Sequence, residues 1–220
     1  MKKIVYITVL AAMALSGSVS RASITSVTNW TYSAGLYCYT PVLDSSPKLT
    51  LDAWLYNGSG PEQMGGTILT SSAIDPTLTI NDQINNSSGV AWSGFVLDVF
   101  MSTTFSIALS ASPVANPSGW TGDITIAPHF DAGSGQFMSQ IVFSGGTPVS
   151  PNASDPSNLL NFTYQVSFSG STSYSFTEQA TAVPVPEPGA WGLWTIGSLL
   201  LGFRACKRRP AFGSVCDRVC

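Results

Sequence analysis

Apolar and polar residues alternate with a period of two along several short segments of this chain. The segment 48–55 reads Lys-Leu-Thr-Leu-Asp-Ala-Trp-Leu, with leucine or alanine at every second position. Successive side chains of a β-strand point to opposite faces of a sheet, so this pattern predicts a strand that buries one face. Similar patterns predict further strands at 36–39, 78–81, 94–101, 104–109, 123–127, 136–143, 160–168 and 173–177.

The residues between these segments favour turns, and no segment shows a helical period. Glycine, asparagine, serine and proline cluster at 57–61, 85–89, 116–119 and 144–146, as is typical of turns. The strong helix formers Glu, Lys and Arg are scarce between residues 23 and 185. We therefore predict an all-β fold, a single antiparallel β-sandwich of jelly-roll type, over residues 23–181.

Charge is distributed unevenly along the chain. Of the nine Lys and Arg residues only Lys48 lies between residues 23 and 189, whereas eleven of the twelve acidic residues do. This middle region carries a formal charge of about −10, so nucleic acid is excluded as a partner. Bacterial membrane proteins keep Lys and Arg on the cytoplasmic side, so the pattern predicts both termini inside and the middle outside.

The N-terminal segment 1–22 has the organisation of a secretory signal peptide. Lys2 and Lys3 form a positive region, residues 4–15 are apolar, and Ser-Arg-Ala at 20–22 supplies a small-x-small cleavage site. We predict that signal peptidase cleaves between Ala22 and Ser23.

The C-terminal part combines three different segments. Residues 182–189 are rich in proline and form a predicted linker, residues 190–206 are apolar, and residues 207–220 form a basic tail. The apolar segment is predicted to be a single transmembrane helix, with Trp191 and Trp194 at its outer end. Its inner end is marked by the cations Arg204, Lys207, Arg208 and Arg209.

The order of these three segments resembles the PEP-CTERM sorting signal of Gram-negative bacteria, with Pro186, Glu187 and Pro188 as the Pro-Glu-Pro box. The resemblance implies a transient anchor in the inner membrane and processing by an exosortase-like protease. It further implies release to the cell surface or to an exopolysaccharide matrix. The expected function is that of an exported, non-catalytic surface or extracellular-matrix protein.

The chain has few of the residues that catalysis requires. His129 is the single histidine, so a Ser-His-Asp triad would depend on it, and no Gly-x-Ser-x-Gly motif accompanies it. We predict no catalytic residue, no metal site and no cofactor. A secreted glycoside hydrolase or lyase remains an alternative, and it would require two carboxylates facing each other in an open cleft.

Tryptophans leave a second alternative open, a carbohydrate-binding module. Trp92 lies in the segment 84–99, which resembles a recurring segment of PEP-CTERM ectodomains, and Trp120 follows a turn. Trp92 and Trp120 are the candidates for stacking on a glycan, and Trp30 and Trp54 also favour this alternative. For Trp92 the first interpretation is that it closes the end of the apolar core, with glycan stacking as the alternative.

Overall fold

The computed structural model describes residues 22–58, 60–74, 76–151 and 156–186. These residues form twelve β-strands and one 3-10 turn at Pro156–Asn158. The strands are β1 (Ile24–Tyr32), β2 (Leu36–Cys38), β3 (Val42–Leu43), β4 (Lys48–Leu55), β5 (Glu62–Thr70), β6 (Thr77–Asn86), β7 (Trp92–Met101), β8 (Phe105–Asn116), β9 (Thr121–Asp131), β10 (Gln136–Val149), β11 (Leu159–Phe168) and β12 (Ser173–Pro184). The all-β prediction is confirmed.

The strands form two six-stranded sheets. Sheet A has the order β1-β5-β12-β7-β10-β9, and sheet B has the order β2-β4-β6-β11-β8, with β3 paired to β4 beside β2. Most consecutive strands lie in different sheets, so the chain crosses repeatedly between the two layers.

One strand pairing departs from the prediction that all pairs are antiparallel. Strands β4 and β6 pair in parallel, with Leu51 opposite Asp82. The intervening strand β5 lies in sheet A, so the chain leaves sheet B after β4 and returns to it in the same direction. The antiparallel prediction is wrong at this pair because local alternation carries no information about which sheet accepts the next strand.

Aromatic side chains from both sheets meet in the core. Phe143 of sheet A and Phe162 of sheet B have ring centroids 4.3 Å apart, and Phe95 lies 5.9 Å from Phe162. All three side chains are fully buried. The inner faces of the two sheets therefore pack directly on each other, in a sandwich-like arrangement.

Strands β1 and β5 escaped the sequence analysis because their patterns are interrupted. Asn29 has a positive φ of 54°, and the pairing of β1 with β5 shifts in register between Thr28 and Thr31. Opposite this bulge, a Cβ on Gly66 would lie only 2.6 Å from the carbonyl oxygen of Thr28. Glycine is therefore required in β5 where the bulged strand approaches it.

The predicted boundary between the sandwich and the proline-rich linker differs from the observed one. Strand β12 extends to Pro184, three residues into the predicted linker 182–189. Beyond Ala180 it pairs with β7 alone, and such one-sided pairing tolerates a proline.

Three predicted terminal segments lie outside the described residues: the signal peptide up to Arg21, the apolar segment 190–206 and the tail 207–220. Within the described residues, no helix has the length and apolarity needed to cross a membrane.

The cross-sheet aromatic contact predicts a large effect of truncation. Replacing Phe162 with Ala removes the ring that contacts Phe95, Phe143 and Tyr164, and we expect the free energy of unfolding to fall by about 3–5 kcal/mol. Denaturant unfolding measures this loss. Phe130→Ala is the matched control, because Phe130 is 56% exposed; an equal loss in both variants would contradict the assigned core.

Candidate functional site

The two tryptophans predicted as candidate glycan contacts are buried. Trp92 is 0% exposed, its ring centroid lies 5.9 Å from that of Phe95, and its Nε1 donates to Ser88 Oγ at 3.0 Å. Trp120 is 5% exposed and donates to the carbonyl oxygen of Thr147 at 2.7 Å. Neither ring presents a face to solvent, so both positions fit core packing.

The predicted processing residues lie at or beyond the edges of the described fold. Ser23 is exposed, and its backbone N donates to Ser71 Oγ at 3.0 Å. Ala22 is buried and donates to the carbonyl oxygen of Ile74 at 3.1 Å. Pro186 is exposed. The other predicted residues lie outside the described residues, namely Glu187, Pro188, Arg204, Lys207, Arg208 and Arg209.

The lone histidine and the cysteine of the described region lack catalytic surroundings. His129 is exposed on β9, and its Nδ1 lies 3.2 Å from the carbonyl oxygen of Ala127. Cys38 is buried and free, and burial raises the pKa of its thiol to about 12. Reactive cysteines need an accessible thiolate, which this position does not supply.

Two acidic side chains meet inside the sandwich. Asp82 comes from β6 of sheet B and Glu178 from β12 of sheet A, and both are 0% exposed. The Tyr164 hydroxyl, also buried, donates to Glu178 Oε1. The two oxygens of Asp82 and Oε2 of Glu178 have no donor among the described residues.

The two carboxyl groups interact with each other. Burial, followed by the negative charge of Glu178, raises the pKa of Asp82 well above its ordinary value. Burial raises the pKa of Glu178 to about 7, against the opposing effect of the Tyr164 hydroxyl. A protonated carboxyl donates a hydrogen bond and carries no charge, so a retained proton supplies the missing donor and relieves the repulsion.

This acid pair is sealed inside the protein. Glycoside hydrolysis needs two carboxyl groups with a substrate between them, yet neither Asp82 nor Glu178 has any exposed surface. Among the described residues, no group of three or more His, Cys, Asp and Glu side chains could hold a metal ion. In this conformation, the pair therefore affects the free energy of unfolding.

An exposed aromatic cluster lies where an edge strand of each sheet meets. We call Tyr32, Tyr37, Tyr39 and Trp54 the Tyr–Trp ridge. The ring centroid of Tyr37 lies 5.6 Å from Tyr32, 5.3 Å from Tyr39 and 6.1 Å from Trp54. Trp54 and Tyr39 are 4.9 Å apart. The three tyrosines are exposed, and Trp54 is half-buried.

A surface depression of about 300 Å³ adjoins this ridge at Tyr32. Its polar lining comes from Thr31, Ser33, Gln63 and Thr177. Next to it, Glu62 accepts hydrogen bonds from the Ser33 hydroxyl and from Asn57 Nδ2, the latter at 2.8 Å. These bonds lower the pKa of Glu62, led by the one from Ser33, and they fix the loop that carries Ser33.

Neither the acid pair nor the Tyr–Trp ridge was predicted from the sequence. A signal for the acid pair was present, because Asp82 falls in the inward phase of Leu78, Ile80 and Ile84 on β6. The ridge had a weaker signal: alternation puts Tyr37 and Trp54 on outward faces of β2 and β4, but their pairing and the approach of Tyr32 from the other sheet follow only from the fold.

Comparisons with protein-family models, with curated proteins and with solved structures gave no significant match.

The acid pair predicts an unusual dependence of stability on pH. A carboxyl whose pKa rises from 4.5 in the unfolded chain to about 7 on folding binds its proton more tightly in the folded state. Raising the pH through that interval then lowers the free energy of unfolding, by about 3 kcal/mol for a shift of this size. We expect urea unfolding to show lower stability at pH 8 than at pH 5.

The control for this pH effect removes both acids without changing their shape. The double variant D82N/E178Q is expected to lose most of the difference between pH 5 and pH 8, whereas D123N, at an exposed position, retains it. A wild-type stability that is constant or rises between pH 5 and pH 8 contradicts the assignment.

Proposed function

We propose that this chain is an exported, non-catalytic protein of the cell surface or extracellular matrix, held transiently in the inner membrane and then released by an exosortase-like protease. The observation that carries this proposal is the position of the Pro-Glu-Pro box relative to the fold. Strand β12 ends at Pro184, and Pro186, the first residue of the box, is exposed. Cleavage at the box leaves all strands of the sandwich intact.

The N-terminal boundary supports the same proposal. The first strand begins at Ile24, directly after the predicted cleavage site. Removal of residues 1–22 would cost the domain the hydrogen bond from Ala22 to Ile74, whereas the contacts of Ser23 with Ser71 remain. Both proposed cleavages therefore fall at edges of one jelly-roll-like sandwich.

The sealed acid pair favours a non-catalytic function over the hydrolase alternative. An acid pair in a glycosidase must reach the substrate from solvent, and Asp82 and Glu178 are enclosed by the two sheets. The carbohydrate-binding alternative requires exposed aromatic rings, which the chain offers at the Tyr–Trp ridge.

Mass spectrometry of the protein from culture medium and from envelope fractions tests the processing. We expect the released form to begin at Ser23 and to end close to Pro188. Replacing Pro186, Glu187 and Pro188 together with Ala should retain the protein in the membrane fraction, because the protease loses its recognition sequence.

Pro184→Ala is the matched control, because it removes a neighbouring proline outside the box, and we expect it to be released like the wild type. Release of the triple variant at the wild-type level, or an unprocessed N-terminus in the medium, contradicts the proposal.

A further inference from the structure

We infer that the Tyr–Trp ridge and the adjoining depression form a binding site for a neutral glycan chain. This inference goes beyond export and processing and does not depend on them, because it concerns a surface of the folded sandwich. It places the glycan contact at Trp54 and not at Trp92 or Trp120, the two candidates for stacking in the sequence.

The aromatic geometry of the ridge suits the apolar faces of sugar rings. Tyr37 meets Tyr39 at an interplanar angle of 83°, and Tyr39 meets Trp54 at 81°. Such edge-to-face contacts hold neighbouring rings in different directions, and 40–50% of each tyrosine stays exposed and accessible to a ligand. The face of an aromatic ring is electron-rich, and it attracts the weakly positive C–H groups on the flat side of a pyranose.

The depression offers the complementary polar groups. Its hydroxyl and amide lining, from Thr31, Ser33, Gln63 and Thr177, can both donate and accept hydrogen bonds, as sugar hydroxyls require. Gln63 is held by a bond from its Nε2 to Gln179 Oε1 at 2.9 Å. A ridge of aromatic rings leading into a few oriented polar groups is the usual composition of a small-molecule site.

The charge of the site selects among glycans. Neither the ridge nor the lining of the depression contains a cationic residue, and the nearby carboxyl group of Glu62 is held ionised by its donors. Asp52 follows the same outward phase as Trp54 on β4. Lys48 shares this phase but lies six positions from Trp54, at the far end of β4. An anionic polysaccharide would therefore meet the negative charges of Glu62 and Asp52 at the site itself, and the surface is better matched to an uncharged chain.

Two other roles would also place aromatic rings here. The ridge could cover the open edges β1 and β2 of the two sheets, or it could bind a second copy of this chain. With exposures of 46% for Tyr32 and 50% for Tyr39, about half of each side chain stays in contact with solvent. Each role predicts a different response to mutation, which the experiment separates.

The test uses the full chain, purified in a zwitterionic detergent without a sugar headgroup. Isothermal titration measures binding of neutral hexasaccharides of β-1,4-glucan, α-1,4-glucan, β-1,4-mannan and β-1,4-xylan, with hexagalacturonate as the anionic probe. We expect at least one neutral probe to bind and the anionic probe not to bind. Trp54→Ala and Tyr37→Ala should each weaken binding about tenfold or more, as truncation of a central aromatic contact does.

Matched variants make the outcome decisive. Phe130→Ala removes an exposed ring on β9, outside the ridge, and should leave affinity unchanged, whereas Trp54→Phe should keep part of the binding that Trp54→Ala loses. Circular dichroism and thermal unfolding verify that each variant is folded. The inference is overturned if no neutral probe binds to the folded wild type, or if binding survives both ridge truncations.

The alternative roles have their own readouts. Sedimentation velocity of wild type and Trp54→Ala detects self-association through the ridge, and a dimer that Trp54→Ala abolishes, without glycan binding, overturns the inference. A sealing role alone would lower stability in the ridge variants while no glycan binds. Because all measurements use purified protein, failure here leaves the processing proposal unaffected, and failure of processing leaves this inference unaffected.

Discussion

Burial of the inner faces of the two sheets against each other is the interaction on which the rest of the structure depends. The polar composition between residues 23 and 185 offers few helix-forming residues, so apolar side chains can be removed from water mainly by alternation along strands. A single sheet would leave one apolar face in water. The second sheet covers that face, as the contact of Phe143 with Phe162 and the buried leucines of β4 show.

The acid pair imposes a cost on this core. Asp82 of sheet B and Glu178 of sheet A are both fully buried. Two polar groups therefore occupy core positions where aliphatic side chains would otherwise pack. A buried polar group that is fully hydrogen-bonded can specify how two layers align, whereas an unsatisfied one destabilises the fold. Whether the carboxyl pair keeps a proton determines which of these cases applies. The Tyr164 hydroxyl donates a hydrogen bond to one further oxygen, Oε1 of Glu178.

The sequence was sufficient to predict the strands that alternate cleanly, such as β4 and β11, and the all-β class that follows from them. It was not sufficient for β1 and β5, where the bulge at Asn29 and the close approach at Gly66 interrupt the pattern. Pairing is also nonlocal, which is why the parallel β4–β6 pair was missed. The Tyr–Trp ridge was missed for the same reason, since Tyr37 meets Trp54 only through the pairing of β2 with β4, and Tyr32 joins them from the other sheet. Asp82 could have been noticed from its phase on β6.

The place of β12 in sheet A has a consequence for the timing of folding. This strand is the last one along the described chain, yet it lies between β5 and β7 in the interior of its sheet. Until it is present, β5 and β7 have no common partner and the layer stays divided into two parts. A chain that crosses a membrane from its N-terminus, as proposed for this one, therefore cannot assemble a complete sandwich before nearly the whole domain has emerged. On the proposed export route, sheet A would therefore be completed only when β12, the strand that joins its two parts, arrives last.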